Sequence, residues 1–536
     1  MREKVNYVFK DAKSSFKSID WGFFWVLLIS LISPFIYKFL KIYFVGTIDS
    51  GVNDPIDNLL TTYQTESGFA NLLYETFSIF VIIPIYAFVN KNTKNNVEKK
   101  QKFLISFLIG IGMSVILFSV ITISAVPFSF FLIDGDNDTE IILFVVIAFG
   151  YMLLMINAIL LTFLTLKKSK GILLLATLMT LVLHVSLDVL LLSSFVLGEP
   201  TFARLLISIV LAPTINLLIL IFLIFLLNKK ERKEWKECTS TFSFKKWKGD
   251  LGIYKKASLF SGGETLYWNL MWFIGIMIPF VIMGKSDAAI TTGGLLADSL
   301  FWIVLIIPLS AATYLQAESH SHDSNRIEHN KKMKEGFLIS FFIAIIWLII
   351  GPLVIIYLYP VMLSGTINNP NYDPAFYNSA VHYATQLSWI MFFFYFFMLF
   401  VRIIYTYWVT TNQAFKNFIA TFIATTTLWL PIFIIFVINP NLITQPWIIA
   451  LIYGLGLFLI FLITVTQLWL ENVEATTTKI KLPNWYKKLG YFYEPVEIFL
   501  NLETEPNYDD ELTSDTSFLE IKSENKFYES SDDRRW

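Results

Sequence analysis

The stretch WGFFWVLLISLISPFIYKFLKIYFVG, residues 21–46, decides what kind of chain this is. Residues 21–37 carry no charge, and the run is long enough to cross a bilayer, since about 20 residues at 1.5 Å rise span the roughly 30 Å hydrocarbon core. A helix satisfies its own backbone hydrogen bonds there, so a helix is the expected element. The run starts at Trp21 without a small-residue cleavage site, so it reads as a retained helix. Its far end holds Lys38 and Lys41 just before FVG, where a lipid-embedded chain has little use for charge.

The same pattern recurs along the chain. Of 536 residues, 55% are hydrophobic, 15% are charged and 51 are Phe, more apolar surface than a soluble domain buries. Twelve apolar runs, spans 1 to 12, lie near 22–46, 68–89, 103–133, 141–166, 171–197, 202–228, 255–284, 289–317, 336–364, 378–410, 415–438 and 445–470. The expected fold is an all-α polytopic membrane protein with twelve transmembrane helices in two pseudo-symmetric six-helix bundles. The units are an N-terminal bundle (1–228), a cytoplasmic basic linker (229–254), a C-terminal bundle (255–470) and an acidic cytoplasmic tail (471–536). The end of that tail, NYDDELTSDTSFLEIKSENKFYESSDDRRW, is poor in aliphatic residues and reads as disordered or as a small docking element, dispensable for transport after Pro483.

Lysine and arginine are retained on the cytoplasmic side of a membrane. Arg2, Lys4, Lys10, Lys13 and Lys17 precede span 1, Lys91, Lys94, Lys99, Lys100 and Lys102 separate spans 2 and 3, and ten basic residues lie from Lys229 to Lys256. DGDNDTE (134–140) and the 1–2 loop with Asp49, Asp54, Asp57 and Glu66 are acidic and expected outside. This places both termini in the cytoplasm of a multi-pass cell-membrane protein. Membrane lipids are the natural partners of the basic loops, nucleic acid is not, and a monomer is expected. The single cysteine, Cys238, leaves no role for disulfides.

Enzyme signatures are absent. There is no GxxxxGK[ST] for ATP and no HExxH or paired CxxC for zinc, so no catalytic activity, cofactor or metal is expected. HSHDSNRIEH brings His320, His322 and His329 together, but a solvated polar loop accounts for it. Two equal halves without an ATPase motif point to a secondary transporter or flippase.

Four segments, IYKFLKIYFVG (36–46), LMTLVLHVSLDVLLL (178–192), KKASLFSGGETLYWNLMWF (255–273) and TTGGLLADSLFWIVLIIPLSAATYLQAESH (291–320), resemble in order and spacing spans 1, 5, 7 and 8 of the multidrug and toxic compound extrusion (MATE) family. The likeness covers roughly residues 20–470, and the resemblance implies export of organic or xenobiotic compounds by alternating access, coupled to H⁺ or Na⁺. It also exposes departures. The position near which the family carries an Asp in its first helix is Lys41 here, and the family's Asn in helix 5 is His184, while the Asp four residues later is kept as Asp188. One carboxylate, one base and one cation thus stand where a cation-binding carboxylate pair would.

Counting the rise from the helix centres puts Lys41 about 10 Å and Asp188 about 6 Å to the outer side, within reach of a lysine stem. His184 and Asp188 share a helix face. An outer-half polar site of Lys41, His184 and Asp188 is therefore expected, although Lys38 and Lys41 also fit snorkelling to the headgroups. Ser208 in span 6 and Asp298 in span 8 join the candidate substrate- or ion-binding residues. Glu264 and Arg402, both about 10 Å to the inner side, complete them and are candidates for a pair. The aromatic run IMFFFYFFMLF (390–400) fits lipid and helix packing better than a binding pocket. Three function classes remain: a MATE-like exporter of small molecules, a flippase for an anionic lipid-linked or polysaccharide precursor favoured by cavity cations, and a non-transporting scaffold.

Overall fold

The computed structural model of the chain describes residues 13–48, 59–90, 93, 95–128, 138–226, 229–299, 313–314, 326–369, 373–410, 415–439 and 445–476. Among them, eleven helices are long and apolar enough to cross a membrane, and no strand occurs. The described part of span 8, residues 288–299 and 313–314, is helical too. The chain is an all-α, multi-pass membrane protein.

Several helices outrun their apolar cores. Span 2 is the helix Leu59–Asn90, span 3 is Asn96–Phe128 and span 9 is Arg326–Leu363, each beginning well before its apolar run. Glu66, expected in an acidic outer loop, is buried inside span 2. Lys100 and Lys102, expected in a solvated loop, are buried in the first turns of span 3. Hydropathy marks only the length that lipid must solvate, and a helix sheltered by other protein continues past it.

The 229–254 linker is also no loop. Its helix Lys229–Ser240 buries Trp235 and Cys238 against spans 3 and 6. Trp235 packs on Phe225, Phe163 and Phe103. Lys100 Nζ meets Glu231 at 2.7 Å and Glu234 at 2.5 Å, Lys167 Nζ meets Glu231 at 2.6 Å, and Lys102 Nζ meets Asp250 at 3.0 Å. The tail beyond residue 476, with Pro483, lies outside the described residues.

Within the first six spans the packed pairs are 1 with 2 and 5, 2 with 3 and 4, 3 with 4, 4 with 5 and 6, and 5 with 6. Within the last six, among the described residues, they are 7 with 11 and 12, 9 with 10, 10 with 11 and 12, and 11 with 12, and span 2 of the first half packs along span 7. The pairs 1–5, 3–4, 4–6 and 5–6 thus recur six spans later, and no packed pair joins span 1 to span 12. Span 7 runs as one continuous helix from Leu251 to Gly284 with wide π-turns at Ser258–Gly262 and Phe273–Met277, and span 11 has another at Thr425–Trp429. Such turns shift the register of side chains and are frequent at functional sites.

The two groups of helices meet at both ends. Away from the basic loops, Asn369 Nδ2 donates to the carbonyls of Gly46 at 3.2 Å and Ile48 at 2.9 Å, and the hydroxyls of Thr61 and Thr292 lie 2.9 Å apart. There the short 3₁₀ turn Ser364–Asn368 seats Gly365 against the backbone of Tyr43, so closely that a methyl group on Gly365 would overlap the Tyr43 carbonyl. At the basic end, Ser18 Oγ donates to Glu335 Oε1 at 2.6 Å, and the Asp20 amide donates to the Tyr314 hydroxyl at 3.0 Å.

Candidate functional site

Spans 1 and 5 pack along their length, and each offers two side chains four residues apart on the shared face. Tyr37 meets His184, ring on ring, with centroids 4.0 Å apart and planes 14° from parallel. One turn further, Lys41 Nζ lies 3.1 Å from Asp188 Oδ1, with Asp188 fully buried and Lys41 nearly so. Lys41 therefore does not reach for the headgroups. Ser208, fully buried on span 6, faces the same carboxylate. Neither ring nitrogen of His184 has a hydrogen-bond partner among the described residues. A turn below it, Thr180 Oγ1 donates to Asn216 Oδ1 at 2.6 Å. The structure thus brings together Lys41, His184, Asp188 and Ser208 in one buried polar stripe.

That stripe borders a cavity of ≈ 360 Å³ between the two groups of helices. Tyr37, Thr180 and Asn216 belong to its wall, which draws on spans 1, 2, 4, 5, 6, 7, 8, 10 and 11. The wall is mostly aliphatic and hydroxylic, and among the described residues its charged members are Glu264 and Arg402. Glu264 accepts hydrogen bonds from Thr421 at 3.3 Å and Thr265 at 3.4 Å. The Arg402 guanidinium carbon lies 5.5 Å from the centre of the Trp268 ring, a cation–π contact, and its Nε has no hydrogen-bond partner among the described residues. No ion pair within 4.0 Å joins Glu264 to Arg402. The candidate pair from sequence instead shares a cavity, with Glu264 meeting threonine hydroxyls and Arg402 an indole face.

A second, smaller space of ≈ 30 Å³, about the room one water needs, lies where spans 1 and 2 meet spans 7 and 8. Lys38, Glu75 and Asp298 line it. Asn71 Nδ2 donates to Glu75 Oε1 at 2.6 Å, and Trp272 Nε1 donates to Asp298 Oδ1 at 2.9 Å. Asp298 is thus an interface residue between the two halves, in a separate space from the central cavity.

Solved structures carry the same arrangement of helices. A eukaryotic MATE transporter, AtDTX14, superposes with a TM-score of 0.61 at 12% identity, covering 89% of this chain and 97% of its own. A multidrug resistance MATE family transporter of the MOP superfamily matches in its outward-facing conformation with a TM-score of 0.56 at 14% identity, covering 85% of this chain and 97% of its own. Its inward-facing conformation matches with a TM-score of 0.56 at 13% identity, covering 85% and 100%. The chain has the MATE fold. No protein-family model matches the sequence, and a search of curated proteins gives no match. At these identities the likeness is one of fold alone.

Within this MATE fold, sequence reasoning passed over some buried charges. Glu75 lies in the middle of span 2, where an ionisable group among apolar residues is itself a signal. Lys416 and Glu471 form a fully buried pair at 2.5 Å between spans 11 and 12; each sits at the edge of an apolar run and reads as an interfacial residue. The aromatic run of span 10 serves packing, with Phe397 against Phe458 and Phe461. His320 and His322 lie outside the described residues, and His329 is in the helix of span 9.

Proposed function

We propose that the chain is a MATE-type secondary transporter that moves a small organic molecule across the membrane by alternating access, coupled to an ion, and that it has no enzymatic activity. One observation carries this reading: a cavity of molecular size sits between two groups of helices that touch each other at both ends. Transport requires those contacts to open in turn. The outward- and inward-facing forms known for a protein of the same fold support such an exchange. The coupling ion is assigned to the Lys41–Asp188–His184 stripe, where Lys41 stands in for a bound cation. A proton is favoured over Na⁺, since the one carboxylate of the stripe already holds an ammonium in a metal cation's place. Export from the cytoplasm, with membrane lipid and substrate as the partners of a monomer, completes the reading. A flippase for an anionic lipid-linked precursor would want a net positive cavity, and the described lining is balanced.

The test is a lock. Thr61→Cys with Thr292→Cys puts two thiols where the hydroxyls already touch across the halves. Protein reconstituted in liposomes with an imposed pH gradient should move a fluorescent organic dye when reduced, stop when the pair is oxidised, and resume on reduction. Flux that persists through verified disulfide formation rules the mechanism out.

A further inference from the structure

The central cavity holds two opposite charges that make no direct ion pair. Glu264 on span 7 and Arg402 on span 10 both line it, both lie within the membrane-spanning part of the chain, and they lie beyond 4.0 Å of each other. Each is only partly compensated. Glu264 accepts two long hydroxyl bonds, at 3.3 and 3.4 Å, and Arg402 rests on the face of Trp268 with its Nε unpartnered among the described residues. Glu264 is buried and Arg402 partly so, and charges in such surroundings gain more from a partner than surface charges do.

A neighbouring plus and minus have opposite effects on a simple ion. A cation drawn to Glu264 is repelled by Arg402, and an anion drawn to Arg402 is repelled by Glu264, so neither sign is favoured by the cavity as a whole. A molecule with both signs, oriented antiparallel to the pair, meets an attractive partner at each end. The space is at the lower end of small-molecule pocket sizes, and Leu31, Ile83 and Leu161 in its wall suit an apolar body. We infer that the cavity is built for a small zwitterion with an apolar body, its carboxylate on Arg402 and its ammonium on Glu264.

The inference deepens the transporter reading and names its substrate class. It is tested on the purified full chain in detergent at pH 6.5 with three probes of one skeleton. These are phenylalanylalanine, its methyl ester, which is only a cation, and its N-acetyl derivative, which is only an anion. The zwitterion is expected to bind at least about tenfold tighter than either, the equivalent of one good charge contact. Arg402→Gln should bring it down to the level of the ester, and Glu264→Gln to that of the acetyl derivative. Arg402→Lys and Glu264→Asp, which keep charge, should retain the preference and show that the cavity still forms. Equal or tighter binding of the ester or the acetyl derivative overturns the inference, as does failure of all three probes to bind or a preference that survives neutralisation of both residues. The two readings fail separately. Selective binding without flux in liposomes would sink transport alone, while dye flux governed by the Thr61–Thr292 lock without zwitterion preference would sink this inference alone.

Discussion

An ammonium and a carboxylate sealed from water stabilise each other only while both are present. Lys41 and Asp188 are such a pair, at 3.1 Å with Asp188 fully buried. Removing one partner strands the other, at a cost of about 3–5 kcal/mol, whereas replacing both by neutral groups of similar shape is close to neutral. Lys41→Met and Asp188→Asn should each lower the melting temperature of the detergent-purified protein, and the double variant should regain most of the loss while failing to couple transport to a pH gradient. Equal melting temperatures for all four proteins would refute the pair's energetic role. The meeting of these two residues was legible from helix rise together with the resemblance that set spans 1 and 5 side by side, because depth along a helix follows from counting residues. The Tyr37–His184 stack was not, since it depends on how each helix is rotated about its axis. Glu264 and Arg402 show the same limit: equal depth suggested contact, and the partners each takes instead, Thr421 and Trp268, are invisible to a depth count.

At the level of single elements, the linker helix Lys229–Ser240 is the clearest departure from expectation. Its composition is so polar that it reads as loop, yet Trp235 and Cys238, three residues apart, give it one apolar face. Trp235→Ala should cost about 3–5 kcal/mol of local stability and make residues 229–240 the first site cut by trypsin. Electrostatics fasten the other face. Burial pushes the Glu231 carboxyl up, but its bonds to Lys100 and Lys167 outweigh that and hold it below the ordinary glutamate range. A depressed carboxyl contributes stability above its unfolded value, about 4.3, and loses it as pH falls through the folded one. The difference in melting temperature between the wild type and Glu231→Gln should therefore be constant from about pH 7 to 5 and shrink in more acid solution. A difference that grows on acidification would show the opposite linkage. Asp20, at the start of span 1, obeys the same rule: burial raises it, and the Lys170 ammonium and the Phe23 amide lower it further than burial raises it.

Over the whole molecule, hydropathy counted spans well and bounded them poorly. Lipid fixes the length of the apolar run, but the buried ends of spans 2, 3 and 9 are solvated by other helices, and no local signal reveals that shelter. The pairing of helices, the central cavity and the contacts at its two ends follow from how the halves face each other. That relation has no imprint in any one segment, which is why a resemblance in order and spacing carried more of the architecture than composition did.

The seat of Gly365 on the Tyr43 backbone has a consequence for how the molecule divides its time. Where two backbones touch with no side chain between them, the smallest addition acts as a doorstop. Gly365→Ala leaves the cavity and every charged residue untouched, yet it makes the shut arrangement of that end cost more, and the population must drift towards forms in which it stands ajar. Pulsed electron–electron distances between spin labels at Ser364 and Thr47 should lengthen and broaden in this variant, and a thiol-reactive reagent should reach a cysteine placed at Thr292 faster than in the parent. Unchanged distances and reaction rates would mean that the close approach is yielding. If they change, one methyl group sets the resting bias of the molecule, and a single glycine governs which side of the membrane the cavity waits on.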